Sequence, residues 1–510
     1  MTWGIMTPGH AIFIAKLIER RLNKHGWSVE VFTSSPAEFD CSAYIVICPQ
    51  VFERLPPGEK RISFQMEQSV SSRWFTDKYI KILANSLAVL EYSLINLEFL
   101  EKKKISYPHV HYLPIGASST YGEHVYVDEK LYEVVFYGDS KSSRRRQTML
   151  DALQKYFNVH VVNNPFGDDM IRVLKQSKVI VNIHYYENSL LEMPRIQECL
   201  SLGLKVVSES SQDQDDYPEL DGAVRYFQQN SIEEMVEAVR QALKESNAPI
   251  ENSVAHSEKK FSFMFDRFLI AIGFLSASHI NDMDIPISSD ADTFGLSLPE
   301  TINRRRVFES GKPTNCVNFD GLRRRPGWIG CGLSYSALAK HALKHGLKSI
   351  TVMEDDVILP PDYADGLNII QSYLKGKGND WDIFSGIIAS LHPEVDVLNV
   401  EEYSGKMFVT INKMTSTVFN IYSESAMHML CRWNPEDAVA ATNTIDRYLE
   451  SQEKLRVIVM LPFFVGHREE VNSTLWGFQN TQYCEMILDS EKLLLRKVDD
   501  FLELTAKNSL

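Results

Sequence analysis

At 510 residues the chain is too long for one ordinary hydrophobic core, so two to four domains are expected. Apolar residues make up 44% and charged residues 24%, the balance of a soluble globular protein. With 67 acids against 53 bases the net charge is −14, which argues against general nucleic-acid binding. The seven cysteines, Cys41, Cys48, Cys199, Cys316, Cys331, Cys431 and Cys484, include no C-x-x-C pair. Neither a disulfide framework nor a zinc knuckle is indicated, and a cytoplasmic location is expected. The opening MTWGIMTPGH has neither the basic nor the long apolar region of a signal peptide. The longest apolar run, near Phe268–Leu275, is far short of a membrane span, so any membrane contact is expected to be peripheral.

Trp3–Met6 reads as a strand, followed by the loop Thr7-Pro8-Gly9-His10. Ala11–His25 follows as a helix, with Ile14, Leu17, Ile18 and Leu22 on one face and Gly26 placed to end it. Val29–Phe32 and Tyr44–Cys48 read as strands, with a further one at Leu87–Leu90. This β-loop-α-β opening is the start of a Rossmann-like unit, whose ligands sit at the loop after the first strand. Gly9 allows close backbone approach there and His10 is a candidate to face the cleft; a plain turn with a surface histidine fits as well.

A second unit starts near Val134. Strands at Val134–Tyr137, Val159–Val162, Val179–Ile183 and Val206–Ser208 alternate with helices at Arg144–Tyr156, Asp168–Gln176, Arg195–Leu202 and Ile232–Lys244. Such alternation implies a parallel sheet covered on both faces. Lys141, Arg144, Arg145 and Arg146 follow a strand and open a helix, a position suited to a diphosphate; a solvated helix face is the alternative.

This half resembles the nucleotide-sugar glycosyltransferases of the GT-B fold, most clearly in Leu191–Glu209, LEMPRIQECLSLGLKVVSE. The resemblance implies that Glu198 contacts the donor ribose and that Gly203 lets the next strand begin. Family members often carry a glutamate eight positions earlier; here Leu190 stands there, flanked by Glu187 and Glu192.

Residues 245–260 are polar without clear periodicity, Phe261–Leu275 is apolar, and 276–293 is polar again, so the main boundary is expected between Leu275 and Thr293. The expected domains are residues 1–125, 126–275 and 290–510.

In the last of these, Ile350–Pro360 reads ITVMEDDVILP, a buried strand that runs into Glu354, Asp355 and Asp356. At roughly 4 Å and an effective dielectric near 20, each unscreened like pair costs about 4 kcal/mol. A positive partner is therefore expected, and hard oxygen ligands in a row suit Mg²⁺ or Mn²⁺; a solvated acidic turn at a strand end is the alternative. Glu354 and Asp356 share a side if the strand continues through them. Trp328–Gly346 reads as a helix whose Gly332, Ser336, Ala339 and Leu343 form a mostly small face.

Seven segments, LSLPETINRRRVF, IGCGLSYSALAKHAL, ITVMEDDVIL, DWDIFSG, STVFNIYSESA, TIDRYL and LPFFVGH, recur in the order of glycosyltransferase family 25, which the region from about Phe294 to Ser473 resembles. Tyr335 stands where that family usually has histidine. The resemblance implies a GT-A-like nucleotide-binding α/β domain, a divalent metal and inverting transfer, with UDP-galactose as the donor it points to. By the same resemblance His467 is the third metal ligand beside Glu354 and Asp356, with a lone surface histidine as its alternative. Arg304 and Arg305 are candidates to hold the nucleotide or else a solvated helix start, and Asp355 is a candidate to face the ribose or to support the metal ligands from behind. An acceptor hydroxyl needs a carboxylate base. Asp446, in TIDRYL, is the leading candidate, helix capping its alternative role, and Glu469 and Glu470 follow.

The combined expectation is an α/β chain with a GT-B-like pair of Rossmann-like units and a GT-A-like domain. It would act as a bifunctional glycosyltransferase taking nucleotide sugars to a glycan or lipid-linked oligosaccharide acceptor, as in lipopolysaccharide or capsule synthesis. The alternatives are an N-terminal half that serves as acceptor-binding scaffold, and a non-catalytic glycan-binding protein.

Overall fold

The computed structural model describes all residues except 71–72, 164–165, 470–472, 476, 478–481 and 509–510. The chain divides into two compact units, Met1–Phe265 and Asp266–Leu510.

The first unit holds two all-parallel sheets. One comprises β1 (Thr2–Met6), β2 (Ser28–Phe32), β3 (Ala43–Ile47), β4 (Arg61–Gln65), β5 (Ala88–Glu91) and β6 (Val110–Tyr112), in the order β2-β1-β3-β4-β5-β6. Its helices are α1 (Ile12–Lys24), α2 (Asp77–Ala84) and α3 (Leu94–Lys102). The central strands are buried end to end, as parallel strands covered on both faces are. Phe13, Ile14, Leu17, Ile18 and Leu22 bury one stripe of α1. A side chain at Gly4 would overlap the Tyr44 ring, its Cβ 2.3 Å away, so only glycine lets β3 place that tyrosine against β1.

The second sheet comprises β7 (Tyr132–Tyr137), β8 (Val159–Val162), β9 (Ser177–Asn182), β10 (Lys205–Glu209) and β11 (Val224–Phe227), in the order β11-β10-β9-β7-β8. Helices α4 (Arg144–Leu153), α5 (Asp168–Lys175), α6 (Met193–Ser201) and α7 (Ile232–Ala242) alternate with the strands. Phe136, Leu150, Leu153, Val181, Val207, Met235 and Val239 form the core between them.

The division between units falls inside α8 (Ala248–Ala271), ahead of the boundary expected between Leu275 and Thr293. The polar stretch 248–260, aperiodic in sequence, is the first half of this helix. It buries Ile250 and Val254, and it buries Ser253 and Ser257 where apolar residues were sought.

The second unit carries β12 (Thr293–Ser297), β13 (Val317–Asp320), β14 (Ser349–Glu354), β15 (Val357–Ile358), β16 (Ile383–Ser385), β17 (Val397–Tyr403), β18 (Lys406–Ile411), β19 (Phe419–Ser423), β20 (Val457–Leu461) and β21 (Gly466–His467). Eight of these form one mixed sheet, β13-β12-β14-β19-β16-β20-β18-β17, and β15 pairs with β21 in a separate ribbon. β12, β13 and β14 are mutually parallel, while β19 runs antiparallel to β14 and β16. Its helices are α9 (Ile302–Gly311), α10 (Gly327–Lys344), α11 (Tyr363–Lys377), α12 (Glu424–Arg432), α13 (Ala440–Asn443), α14 (Ile445–Glu450) and α15 (Tyr483–Asn508). The core gathers Met353, Phe384, Phe408, Phe419, Ile458 and Phe464. A Cβ on Gly332 would meet the Trp433 ring at 2.4 Å, so the small face of α10 receives that indole. No helix among the described residues is long and apolar enough to cross a membrane.

Candidate functional site

The apolar run of β14 ends at Glu354, and Asp355 and Asp356 form a turn before β15. The strand therefore does not continue through them, so the condition under which alternation would put Glu354 and Asp356 on one side is not met. Glu354 turns toward α10, where Cys331 and Tyr335 lie one helical turn apart. The Tyr335 hydroxyl lies 3.0 Å from Glu354 Oε1 and 2.9 Å from the Thr417 carbonyl. Asp355 accepts from the Ser297 hydroxyl at 2.8 Å and from Arg304 Nε. Asp356 Oδ2 accepts from Arg304 Nη2 at 2.7 Å and lies 3.5 Å from His467 Nε2.

The positive partner demanded by three adjacent acids is thus, in part, the Arg304 guanidinium, which spans Asp355 and Asp356. This differs from an arginine left open for a nucleotide. Arg305 also departs from expectation: it is committed to Asp320 and to Glu309 at 2.9 Å, because that face of α9 packs toward β13. Burial, then the adjacent Asp356, pushes the Glu354 carboxyl up to about 7. Burial also raises Asp355 against the pull of Arg304. At Asp356 burial works upward as well, but Arg304 and His467 overcome it and hold the carboxyl below its ordinary range.

Pairing of Val357 with His467 in the β15–β21 ribbon is what brings the histidine here. Glu354, Asp356 and His467 do not bring three ligand atoms within 4.8 Å of one another, so as placed they are not a closed ligand set. Asp356 and His467 do fit two positions on one ion. Ligands at bonds of about 2.1 Å lie roughly 3.0–3.5 Å apart. Asp356 Oδ1 and His467 Nδ1 are also buried without a hydrogen-bond partner, as is the neighbouring Arg468 Nη1.

Asp446 lies in the first turn of α14, whose N-cap is Thr444, and accepts the Arg447 backbone N–H at 2.9 Å, so it does not take the capping role that was its alternative. Its charge also reaches the site: after burial, Glu354, Asp446 and Asp356 together push the Cys331 thiol well up. Glu469 accepts the Cys484 backbone N–H near the start of α15. Glu470 lies outside the described residues.

In the first unit the sequence candidates separate. Gly9 begins a 3-10 turn in which an added Cβ would lie 3.2 Å from the Phe166 ring, and His10 beside it is exposed. Lys141 and Arg144 are exposed at the turn after β7 and the first turn of α4. Arg145 and Arg146, expected beside them at a diphosphate, instead turn inward. Arg145 holds Glu209 at 2.5 Å, and Arg146 holds Glu192 at 3.1 Å and the Ile183 carbonyl at 2.8 Å. Glu198 accepts from the Tyr121 hydroxyl at 2.9 Å and the Tyr137 hydroxyl at 3.2 Å, and burial raises its carboxyl despite both.

Sequence reasoning missed the ionic cluster around these residues. Glu192 meets Arg146, Arg195 at 2.9 Å and the buried His184 at 3.8 Å, and Glu209 meets Arg145 and the His184 backbone N–H at 2.6 Å. Its signal was present in Glu192 and Glu209, the acids near the two ends of the family-like stretch. At Leu190, where the resembling family has glutamate, the side chain is fully buried. Its backbone N–H and carbonyl are both bonded by the Gln68 amide at 3.0 Å.

No protein-family model and no curated protein matches this sequence. Solved structures that resemble it include an alpha-glucosyltransferase in complex with UDP and a 13-mer DNA containing an HMU base, 11% identical with a TM-score of 0.40. Others are the sucrose-phosphate synthase of Thermosynechococcus elongatus, 12% identical with a TM-score of 0.35, and WaaG, a glycosyltransferase involved in lipopolysaccharide biosynthesis, 11% identical with a TM-score of 0.35. The three matches cover 53%, 54% and 53% of this chain and 98%, 97% and 99% of those proteins. Likeness at this level does not carry an activity across.

Proposed function

We propose that the chain is a nucleotide-sugar glycosyltransferase whose second unit carries a transfer site at the end of β14. One observation supports this most: segments far apart in sequence converge on Glu354–Asp356. Arg304 comes from α9, Tyr335 from α10 and His467 from β21, and the unpartnered Asp356 Oδ1 and His467 Nδ1 lie among them. A GT-A-like reading of the mixed sheet, inverting transfer and a UDP-hexose donor, galactose first, belong to the same proposal.

Asp356 and His467 would hold a divalent cation, Mn²⁺ or Mg²⁺, which when bound neutralises the departing diphosphate. The remaining work falls to the chain's own groups. Arg304 fixes Asp355 and Asp356 and adds positive charge beside the leaving anion. Tyr335 fixes Glu354. Asp446 takes the acceptor hydroxyl's proton as that oxygen bonds to the sugar's anomeric carbon and the bond to the nucleotide breaks on the opposite face. Burial of the acids keeps these charges in a low-dielectric setting, where each counts for more than in water.

The first unit, under this proposal, is a GT-B-like module with Lys141, Arg144 and Glu198 at its donor side, which makes the chain bifunctional. A second reading, acceptor-binding scaffold, is favoured by the Leu190 backbone pinned to Gln68 and by Glu198 already accepting from two tyrosines. A nucleotide-sugar panel with Mn²⁺ or EDTA, read by nucleotide release, tests both. Transfer lost in Asp356→Ala but kept in Glu198→Ala assigns the activity to the second unit and the first to scaffold duty. Transfer lost only in Glu198→Ala reverses that, and release from no donor sinks the proposal.

A further inference from the structure

Away from both donor sites, the first unit has a cavity of about 540 Å³ between the 3-10 turn Pro218–Leu220 and the first turns of α8. It is lined by Glu219, Asp221, Ser246, Asn252, Ser253 and His256, with Ala248 and Pro249 as its apolar part. Pro249, Asn252, Ser253 and His256 fall on one face of α8 by helical spacing. Glu219 and Asp221 lead into the N-terminal end of β11. The cavity therefore lies at the opposite end of that parallel sheet from Lys141, Arg144 and Glu209.

Two of its polar groups are buried and unmatched. The Glu219 side chain is 2% exposed; its Oε1 lies 3.5 Å from Lys260, while Oε2 has no hydrogen-bond partner. Ser253 is 3% exposed and its Oγ also has none. A buried carboxylate oxygen and hydroxyl left unmatched are costly unless a ligand meets them.

We propose that this cavity is a saccharide-binding site, separate from catalysis, for neutral hydroxyl-rich glycans. The chemistry of the lining selects that class. Two carboxylates and no arginine line it, which disfavours phosphates and nucleotides. Glu219, Asp221 and His256 do not bring three ligand atoms within 4.8 Å of one another, which disfavours a metal ion. Carboxylate oxygens accept from paired sugar hydroxyls, while Ser253, Asn252 and His256 can each donate or accept, as hydroxyls require. The cavity has room for one or two sugar rings.

The test uses the full-length chain on an array of neutral, amino and acidic oligosaccharides, followed by calorimetric titration of the retained neutral one. The expected result is retention of a neutral saccharide, weakened about tenfold or more when Asn252→Ala and His256→Ala are combined. Both residues are exposed, so the fold and nucleotide release should be unchanged. Asp356→Ala and Glu198→Ala should bind the saccharide as the parent does, so a failure of the transferase reading leaves this outcome untouched. No retained neutral saccharide, retention of amino sugars alone, or equal retention by the double variant would overturn the site.

Discussion

Two clusters of buried acids, one in each unit, are built differently. In the first, the oxygens of Glu192, Glu209 and Glu198 are all taken by arginine, histidine, backbone or tyrosine partners. In the second, Arg304 satisfies one side of Asp356 while its Oδ1 and the His467 Nδ1 stay unmatched. A carboxylate whose lone pairs are all occupied by its own chain fixes geometry; one with a buried free oxygen is able to accept a ligand without first breaking a bond. The comparison separates scaffold acids from site acids, and each side of it can be broken.

The largest effect is expected at the site. Asp446→Asn should lower transfer by about 10²–10⁴-fold while leaving donor KM near the parent value, as loss of a general base does. Steady-state nucleotide release at saturating acceptor measures it, and a shift confined to KM would remove Asp446 from the chemistry. Next, Glu192→Ala leaves Arg146 and Arg195 buried without their carboxylate and should destabilise the first unit by about 3–5 kcal/mol, read from denaturant unfolding.

Glu91 gives a pH-dependent version of the same contrast. Its oxygens accept from Ser93 N–H, Asn96 and Gln65, yet burial outweighs them and pushes the carboxyl up to about 8 from 4.5. The folded state then holds a proton that the unfolded chain releases. The contribution of Glu91 to stability is therefore fully present below about 4.5 and is lost as pH rises toward 8. Glu91→Gln should flatten that slope in thermal melts across the window; an unchanged slope would place its cause elsewhere. Smallest is Arg144→Ala, an exposed cation: under the bifunctional reading the first unit's donor KM rises by roughly fivefold at low salt and less at high salt. No change at either salt favours the scaffold.

The strands that the sequence exposes best are those buried on both faces, such as 349–354 and 177–182, because continuous β-branched runs have few other uses. The first half of α8 was hidden because serines fill buried positions, and β17, β18 and α15 passed unread because amphipathic edges and long polar-faced helices carry weaker periodicity. At the site, Glu354–Asp356 stood out through their mutual repulsion and through the family-like segment around them. The roles of their neighbours did not. Arg304 and Arg305 are adjacent, yet one meets the acids of the turn after β14 and the other Asp320, a choice made by the packing of α9. Likewise His467 reaches Asp356 through a two-residue ribbon that no local pattern announces.

The most direct test is calorimetric titration of Mn²⁺ into the chain saturated with UDP, comparing the parent with Asp356→Asn and His467→Ala. The account predicts a single saturable Mn²⁺ event in the parent, weakened by about 10–100-fold in either variant. Mn²⁺ binding that is absent from the parent, or equal in all three proteins, would contradict it.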